Sequence, residues 1–327
     1  MPQGQKVAVV DGELVGMVTS DRRVALIGDA GETRWTVALP DGEVHSPLTL
    51  TYADDVRVLA IHVGSRLAWW SVDDAAAGGV DLPAEDSPIS WRGDTPLVGV
   101  AGDRVGMIQD GQLVELPVPA GARAVSAWAD GHVIAASADG WWRLTPGAEP
   151  GEVTPWDTPE AEPAQATVID AIGPYVVTLQ VAGDDQVLAV VHMDTGQRVS
   201  RLMSGVLPGV APGEALTWRP SSSRSWGILG HAIVDMEASS VTDLGSPWTT
   251  EHVIADRAMG TLAGQRVIVS PDAPRGVMRD GESFPEEVLG VNALVRGRDP
   301  EGAERVWLLP PNPDIPTVQL TTPATGG

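Results

Sequence analysis

Apolar residues in this chain alternate with polar ones or cluster over four to seven positions, and each cluster is bounded by glycine, aspartate or proline. No stretch of useful length repeats them at the three-to-four spacing of an amphipathic helix. The pattern therefore predicts strands joined by tight turns. The strands fall into eight consecutive groups, most with four members. The groups span Val7–Leu39, Pro47–Leu82, Ile89–Leu116, Ala124–Pro155, Ala166–Met203, Glu214–Leu244, His252–Met278 and Val288–Leu320. Asp11-Gly12, Asp110-Gly111, Asp130-Gly131 and Asp139-Gly140 supply turn dipeptides in which glycine tolerates a positive φ.

Eight groups over about 320 residues give a period of about 40, the length of a four-stranded propeller blade. The expected fold is all-β: a single β-propeller over residues 1–320 with eight four-stranded blades, seven being the alternative count. Residues 321–327 are expected to form a flexible tail. The Pro- and Glu-rich stretch Thr158–Pro163 is the best candidate linker, but it is short, and the spacing stays regular across it. A pair of β-sandwiches fits that regularity less well.

Composition narrows the function. The chain has 327 residues and a net charge of −23. Nucleic-acid binding needs a basic face to replace phosphate counterions, so that class is disfavoured, as is docking by charge onto anionic lipid. Lys6 is the single lysine among 21 basic residues, which fits either a GC-rich coding bias or adaptation to high salt. There is no cysteine, which removes disulfides, thiolate catalysis and Cys-ligated metals. No run of eighteen apolar residues is present, so no helix is expected to span a membrane. The strand pattern starts at Val7 without an apolar leader. The location is expected to be extracytoplasmic, with any export or anchor segment outside this stretch; the cytoplasm is the alternative.

One phrase returns in weakened copies. Residues 25–35 read A-L-I-G-D-A-G-E-T-R-W, with related phrases at Val72–Gly78 and Val190–Gly196. The phrase resembles the docking motif of PQQ-like (quinoprotein-type, WD40-like) β-propeller repeats, roughly A-x-D-x-x-T-G-x-x-x-W. Ala25, Gly31 and Trp35 match in the first copy, where Ile27 and Ala30 replace the Asp and Thr. Asp74 and Gly78 match in the second, with Leu82 at the Trp position. Thr195 and Gly196 match in the third, where His192 and Ser200 replace the Asp and Trp. The matches cover about a third of the chain, and periodicity alone carries the rest.

The resemblance implies a structural docking role for these residues. It does not import quinoprotein dehydrogenase chemistry, because the chain lacks the vicinal cysteines typical of those enzymes and shows no matching ligand set. It points to the non-enzymatic branch, several members of which are extracytoplasmic scaffolds that hold other polypeptides in a complex. No cofactor is expected, and the expected partner is another protein.

Catalytic constellations are thin. The six histidines (His45, His62, His132, His192, His231, His252) form no HExxH and no i, i+4 pair. His62, His132 and His192 occupy corresponding blade regions and read as structural, with a cluster at the axis as the alternative. The acidic doublets Asp54-Asp55, Asp73-Asp74, Asp184-Asp185 and Glu286-Glu287 fall at turns, where aspartate serves backbone geometry. The second reading is a carbohydrate-binding or carbohydrate-active propeller using the central funnel, where two facing carboxylates with an aromatic platform would suit a glycosidase. The segment Asp299–Gly302 lacks EF-hand spacing. Ser221–Ser223 is no nucleophile elbow, and Ala77-Gly78-Gly79 lacks a P-loop lysine.

Tryptophan is the one residue type with binding promise. Trp69-Trp70 and Trp141-Trp142 are adjacent pairs, and neighbouring strand residues point to opposite faces. One indole of each pair can enter the packing between blades while the other faces a different environment, open to a partner; the alternative is that all of them serve inter-blade packing. Trp156 and Trp248 lie in Pro-containing loops and are expected to be more exposed. The sequence-level expectation is a non-catalytic scaffold. A module of a larger membrane-anchored protein is a third reading.

Overall fold

The computed structural model describes residues 6–10, 14–19, 21–100, 104–128, 130–156, 166–172, 174–182, 185–204, 218–221, 225–245, 247–254, 256–272, 276–278, 285, 287–289, 292–298, 304–309 and 318–319. The Asp11-Gly12 turn, the 158–163 linker, Asp184, Glu286, the 299–302 segment, Ser222, Ser223 and the 321–327 tail lie outside the described residues.

The chain is an eight-bladed, all-β propeller fold. Blade 1 is β1 (Lys6–Val10), β2 (Leu14–Val18), β3 (Arg23–Gly28) and β4 (Thr33–Ala38), and blade 2 is β5 (Thr49–Ala53), β6 (Val56–Val63), β7 (Arg66–Ser71) and β8 (Ala77–Asp81). Blade 3 is β9 (Ile89–Ser90), β10 (Leu97–Val100), β11 (Arg104–Gln109) and β12 (Gln112–Pro117), and blade 4 is β13 (Arg123–Ala127), β14 (Val133–Ala136), β15 (Gly140–Leu144) and β16 (Thr154–Pro155). Blade 5 is β17 (Thr167–Ile172), β18 (Tyr175–Ala182), β19 (Asp185–His192) and β20 (Arg198–Ser204), and blade 6 is β21 (Trp218–Pro220), β22 (Trp226–Leu229), β23 (Ala232–Asp235) and β24 (Ser240–Asp243). Blade 7 is β25 (Trp248–Val253), β26 (Ala258–Leu262), β27 (Gln265–Val269) and β28 (Gly276–Val277), and blade 8 is β29 (Glu287–Leu289), β30 (Asn292–Arg298), β31 (Glu304–Leu309) and β32 (Val318–Gln319). Each sheet is an antiparallel meander in chain order, and no strand crosses into another sheet.

Burial follows position within a blade. The middle strands β3, β6, β19, β22 and β23 are buried at nearly every residue rather than at alternate ones. A sheet covered on both faces produces that pattern. The fourth strands β4 and β24 are largely exposed or half-buried. β24 is a short, polar edge (Ser240–Asp243), which blunts edge-to-edge pairing with other chains.

The chain forms two compact units. The first comprises Met1–Thr51, Val56–Asp81 and Asp280–Gly327. Its core has two seams. Leu26, Leu48, Leu59, Ile61 and Trp70 pack blade 1 against blade 2. Val15, Met17, Ala25 and Ile27 pack against Leu294 and Leu308 of blade 8. Gly16 leaves room for this fit, since a Cβ there would stand 2.4 Å from a methyl of Leu59.

The second unit comprises Tyr52–Asp55 and Leu82–Arg279. Its seams join blades 3 and 4 through Met107, Leu116, Val133 and Leu144. Blades 4 and 5 meet through Trp128, Ile134, Trp141 and Val191. Blades 5 and 6 meet through Ile169, Val177, Leu188 and Val234, and blades 6 and 7 through Trp226, Ile228, Trp248 and Val267. Each large side chain moved from water into such a seam contributes about 1.5–3 kcal/mol.

Candidate functional site

The docking copies differ in a way the sequence did not show. In the first, β3 ends at Gly28, Gly31 turns with φ +82°, and Arg34 is an extra residue opposite the Leu26/Ile27 step of the ladder. In the third, Gly196 turns with φ +64° and Val199 is the extra residue opposite Val190/Val191. Each bulge lies three residues after its glycine and re-aims the next side chain. Trp35 then donates its indole N–H to the Val72 carbonyl of blade 2 at 3.0 Å. Ser200, which stands where Trp35 does, accepts the Val241 N–H of blade 6 through Oγ at 3.0 Å. Thr195 Oγ1 accepts the Gln197 N–H within its turn. Ala25 is fully buried against blade 8.

The second copy is out of register by three residues. Ala75, not Gly78, holds the positive φ (+60°), and its N–H bonds to the Ser71 carbonyl as Gly196 bonds to His192. The ladder from β7 to β8 has no bulge. Gly78 lies in β8, where a Cβ would stand 2.3 Å from the Trp69 indole nitrogen. Asp74 caps its own turn, accepting the Ala76 N–H at 3.0 Å. That bond, joined by the Ser71 hydroxyl, holds the Asp74 carboxyl below its usual range.

The structure places the tryptophan pairs in packing, one of the two readings above, and it overturns the exposure expected of Trp248. Trp70 lies in the blade 1–blade 2 seam and Trp141 in the blade 4–blade 5 seam. Their partners are covered too: Trp69 is 7% exposed on Gly78, and Trp142 is half-buried against the blade 3–blade 4 seam. Three of the four indoles are thus buried, and Trp142 alone of the two pairs keeps partial exposure. Trp248 is 3% exposed, stacked on Gly260 with its N–H on Thr250 Oγ1 at 2.8 Å. Trp156 is half-buried, its indole N–H shared between the carbonyls of Ser137 (3.2 Å) and Ala138 (3.0 Å).

His62, His132 and His192 lie apart from one another, and so do the acidic doublets. His62 lies in β6, His132 in the turn before β14 and His192 at the end of β19, so none stands on a first strand. Asp54 and Asp55 form a turn with φ of +51° and +61°. The Asp54 carboxylate accepts the N–H groups of Asp110 (2.5 Å) and Gly111 (2.7 Å), capping the turn between β11 and β12. Glu287 is buried in β29. Among the described residues, no group of three or more His, Cys, Asp or Glu could hold a metal.

The richest polar constellation lies along the first strands of the second unit. Three of these strands, β13, β17 and β25, carry a bulge at the same place, with Val125, Ile169 and Glu251 as the extra residues. A bulge frees a carbonyl from the ladder. A side chain from an earlier blade takes up each one: Ser90 Oγ donates to Val125 (3.4 Å), Arg92 Nη1 to Ile169 (3.2 Å) and Arg219 Nη1 to Glu251 (3.0 Å).

Asp170 follows one bulge and is 1% exposed. Its Oδ1 accepts the N–H groups of Gly93 (3.2 Å) and Ala171 (2.8 Å), and its Oδ2 accepts the Trp218 indole N–H at 2.8 Å. One carboxylate thus ties the blade 3 loop to blades 5 and 6. Gly93 allows the approach: its φ is +79°, and a Cβ would stand 2.1 Å from the Ala127 carbonyl oxygen. The next residues continue the stitching, with Asp94 N–H on Ala127 (2.7 Å) and Thr95 Oγ1 on Tyr52 (2.9 Å). Ser126, Asp170 and His252 hold the same place after the three bulges. They do not form a nucleophilic triad: Ser126 Oγ donates to the Ala171 carbonyl at 3.4 Å, and three N–H donors occupy the Asp170 carboxylate.

Sequence reading did not single out Asp170, Trp218, Arg92 or Arg219. The one available signal is an aspartate inside the apolar run A-T-V-I-D-A-I.

No protein-family profile and no curated protein matches this chain. Similar solved structures include BamB from Moraxella catarrhalis, at 14% identity and TM-score 0.39 over 93% of each chain. Kluyveromyces lactis Hsv2 aligns at 10% identity and TM-score 0.41, over 97% of this chain and 100% of that one. The Dos1 propeller aligns at 8% identity and TM-score 0.46, over 93% and 89%. The fold assignment stands on the eight sheets and their strand order.

Proposed function

We propose that the protein is a non-catalytic, extracytoplasmic β-propeller scaffold that binds another protein within a cell-envelope assembly. The observation that carries this reading is the state of the first-strand polar residues in the second unit. Asp170, Ser126, Arg92 and Arg219 all bond groups of other blades, so the most polar constellation described serves to hold blades together. A glycosidase would need two open carboxylates facing one another; the buried carboxylate at this seam is closed by N–H donors. Among the described residues, three of the five exposed large apolar side chains stand along outer strands: Val153 beside β16, Val199 in β20 and Val277 in β28. With Val153 and, three residues on, half-buried Trp156, the outer side of blade 4 is the favoured contact surface.

The test is in-cell photocrosslinking through an unnatural amino acid placed at Val153, Trp156 or Val277, with Arg123 as the control. The expected result is one discrete adduct from Val153 or Trp156, on the outer side of blade 4, and none from Arg123, on the first strand of the same blade. Absence of any adduct from the outer-strand positions would overturn the reading. A reporter active only outside the cytoplasm, fused to the native gene product, tests the location and should be active.

A further inference from the structure

We propose that His45 and His62 form a two-histidine site for a borderline divalent cation such as Zn2+, Ni2+ or Cu2+. The two residues face each other across a short antiparallel contact in the first unit. Val44 and Val63 form a bridge, the His45 N–H donates to the His62 carbonyl at 2.9 Å, and the Gly64 N–H donates to the Glu43 carbonyl at 2.8 Å. His45 and His62 are therefore a directly opposed pair whose side chains share one face. Such pairs have Cβ atoms about 4.5–5.5 Å apart.

The rings are already close enough to share an ion. Their centroids are 4.8 Å apart, with planes inclined at 46°. A metal–imidazole bond is about 2.0–2.1 Å, which places a ring centroid about 3.2 Å from the ion. Two imidazoles meeting at 90–109° then have centroids about 4.5–5.2 Å apart, and the observed separation falls inside that window.

The setting suits a cation that arrives from solvent. His62 is 5% exposed, and its backbone N–H is fixed on Ser46 Oγ at 2.9 Å, so one ligand is anchored. His45 is exposed and provides the entry side. Glu43, two residues earlier and also exposed, adds negative charge near that entrance. With two protein ligands, the remaining coordination positions stay open to water or to a group from outside the chain. Imidazole nitrogen favours Zn2+, Ni2+ and Cu2+ over Mg2+ and Ca2+, and Cu2+ is expected to bind most tightly.

The test is calorimetric titration of the full chain with Zn2+ or Ni2+ alone, beside His45→Ala and His252→Ala. His45 is exposed, so its replacement leaves the core intact. The expected result is one saturable equivalent, weakened by about tenfold or more in His45→Ala and unchanged in His252→Ala. Cu2+ electron paramagnetic resonance should show two nitrogen ligands in the parent and fewer in His45→Ala. No saturable uptake, equal affinity in parent and His45→Ala, or an unchanged copper spectrum in the variant would each overturn the proposal.

Discussion

Two indole N–H groups join blades here, and they do so in different surroundings. Trp35 donates to a backbone carbonyl, Val72, from a half-buried outer strand. Trp218 donates to a buried carboxylate, Asp170, that also holds the blade 3 loop. Water can replace the first donor. Nothing replaces the second without leaving a buried charge short of a partner, and such a deficit costs more than the bond itself is worth. The outer contact therefore tolerates substitution, as Ser200 in place of tryptophan illustrates. The first-strand contact should not.

The largest expected effect comes from Asp170→Ala. It strips the acceptor from three N–H groups, one of them in a loop that touches two other blades. A loss of about 3–5 kcal/mol in denaturant unfolding is expected. A loss below about 1 kcal/mol would show that the seam is not held by this carboxylate. Gly93→Ala comes next, at roughly 1–3 kcal/mol, because it adds both a positive-φ penalty and a clash with the Ala127 carbonyl.

The indole pair sharpens the contrast. Trp218→Phe keeps most of the packing and removes the donor, for an expected loss of about 1–3 kcal/mol. Trp35→Phe does the same on the outer strand, for about 0.5–1.5 kcal/mol. Equal losses in the two variants would erase the distinction between the seams.

The smallest effect concerns Asp74, whose carboxyl is held low chiefly by the Ala76 N–H. A depressed folded-state value means that its stabilisation is present above the usual carboxylate range. It is lost as pH falls through the lower, folded value. Asp74→Asn should therefore unfold with a slightly flatter acid limb than the parent below about pH 4. Superimposable acid limbs would remove the cap from the account.

Much of the fold was readable along the chain. Strand groups such as Arg104–Gln109 with Gln112–Pro117 rest on apolar runs that flank Asp110-Gly111, a local signal. The first and third docking turns were readable for the same reason. The second was misplaced because Ala75 adopts the positive φ, while Gly78, the more obvious residue, instead makes room for Trp69. The site was far less legible. Val125, Ile169 and Glu251 look like ordinary strand residues, and no local rule marks them as bulges. Trp248 follows Ser246-Pro247 and precedes Thr249-Thr250, a loop-like context, yet tertiary packing buries it on Gly260.

By itself, then, the sequence determined the blade-length period and the order of the strand groups, because hydrophobic period and turn chemistry act over a few residues, while the eight sheets of the structure decided the count between seven and eight. Only the tertiary structure decided which polar groups meet. Asp170 and Gly93 are 77 positions apart and Asp170 and Trp218 are 48 apart, so their hydrogen bonds exist only once separate blades have packed side by side.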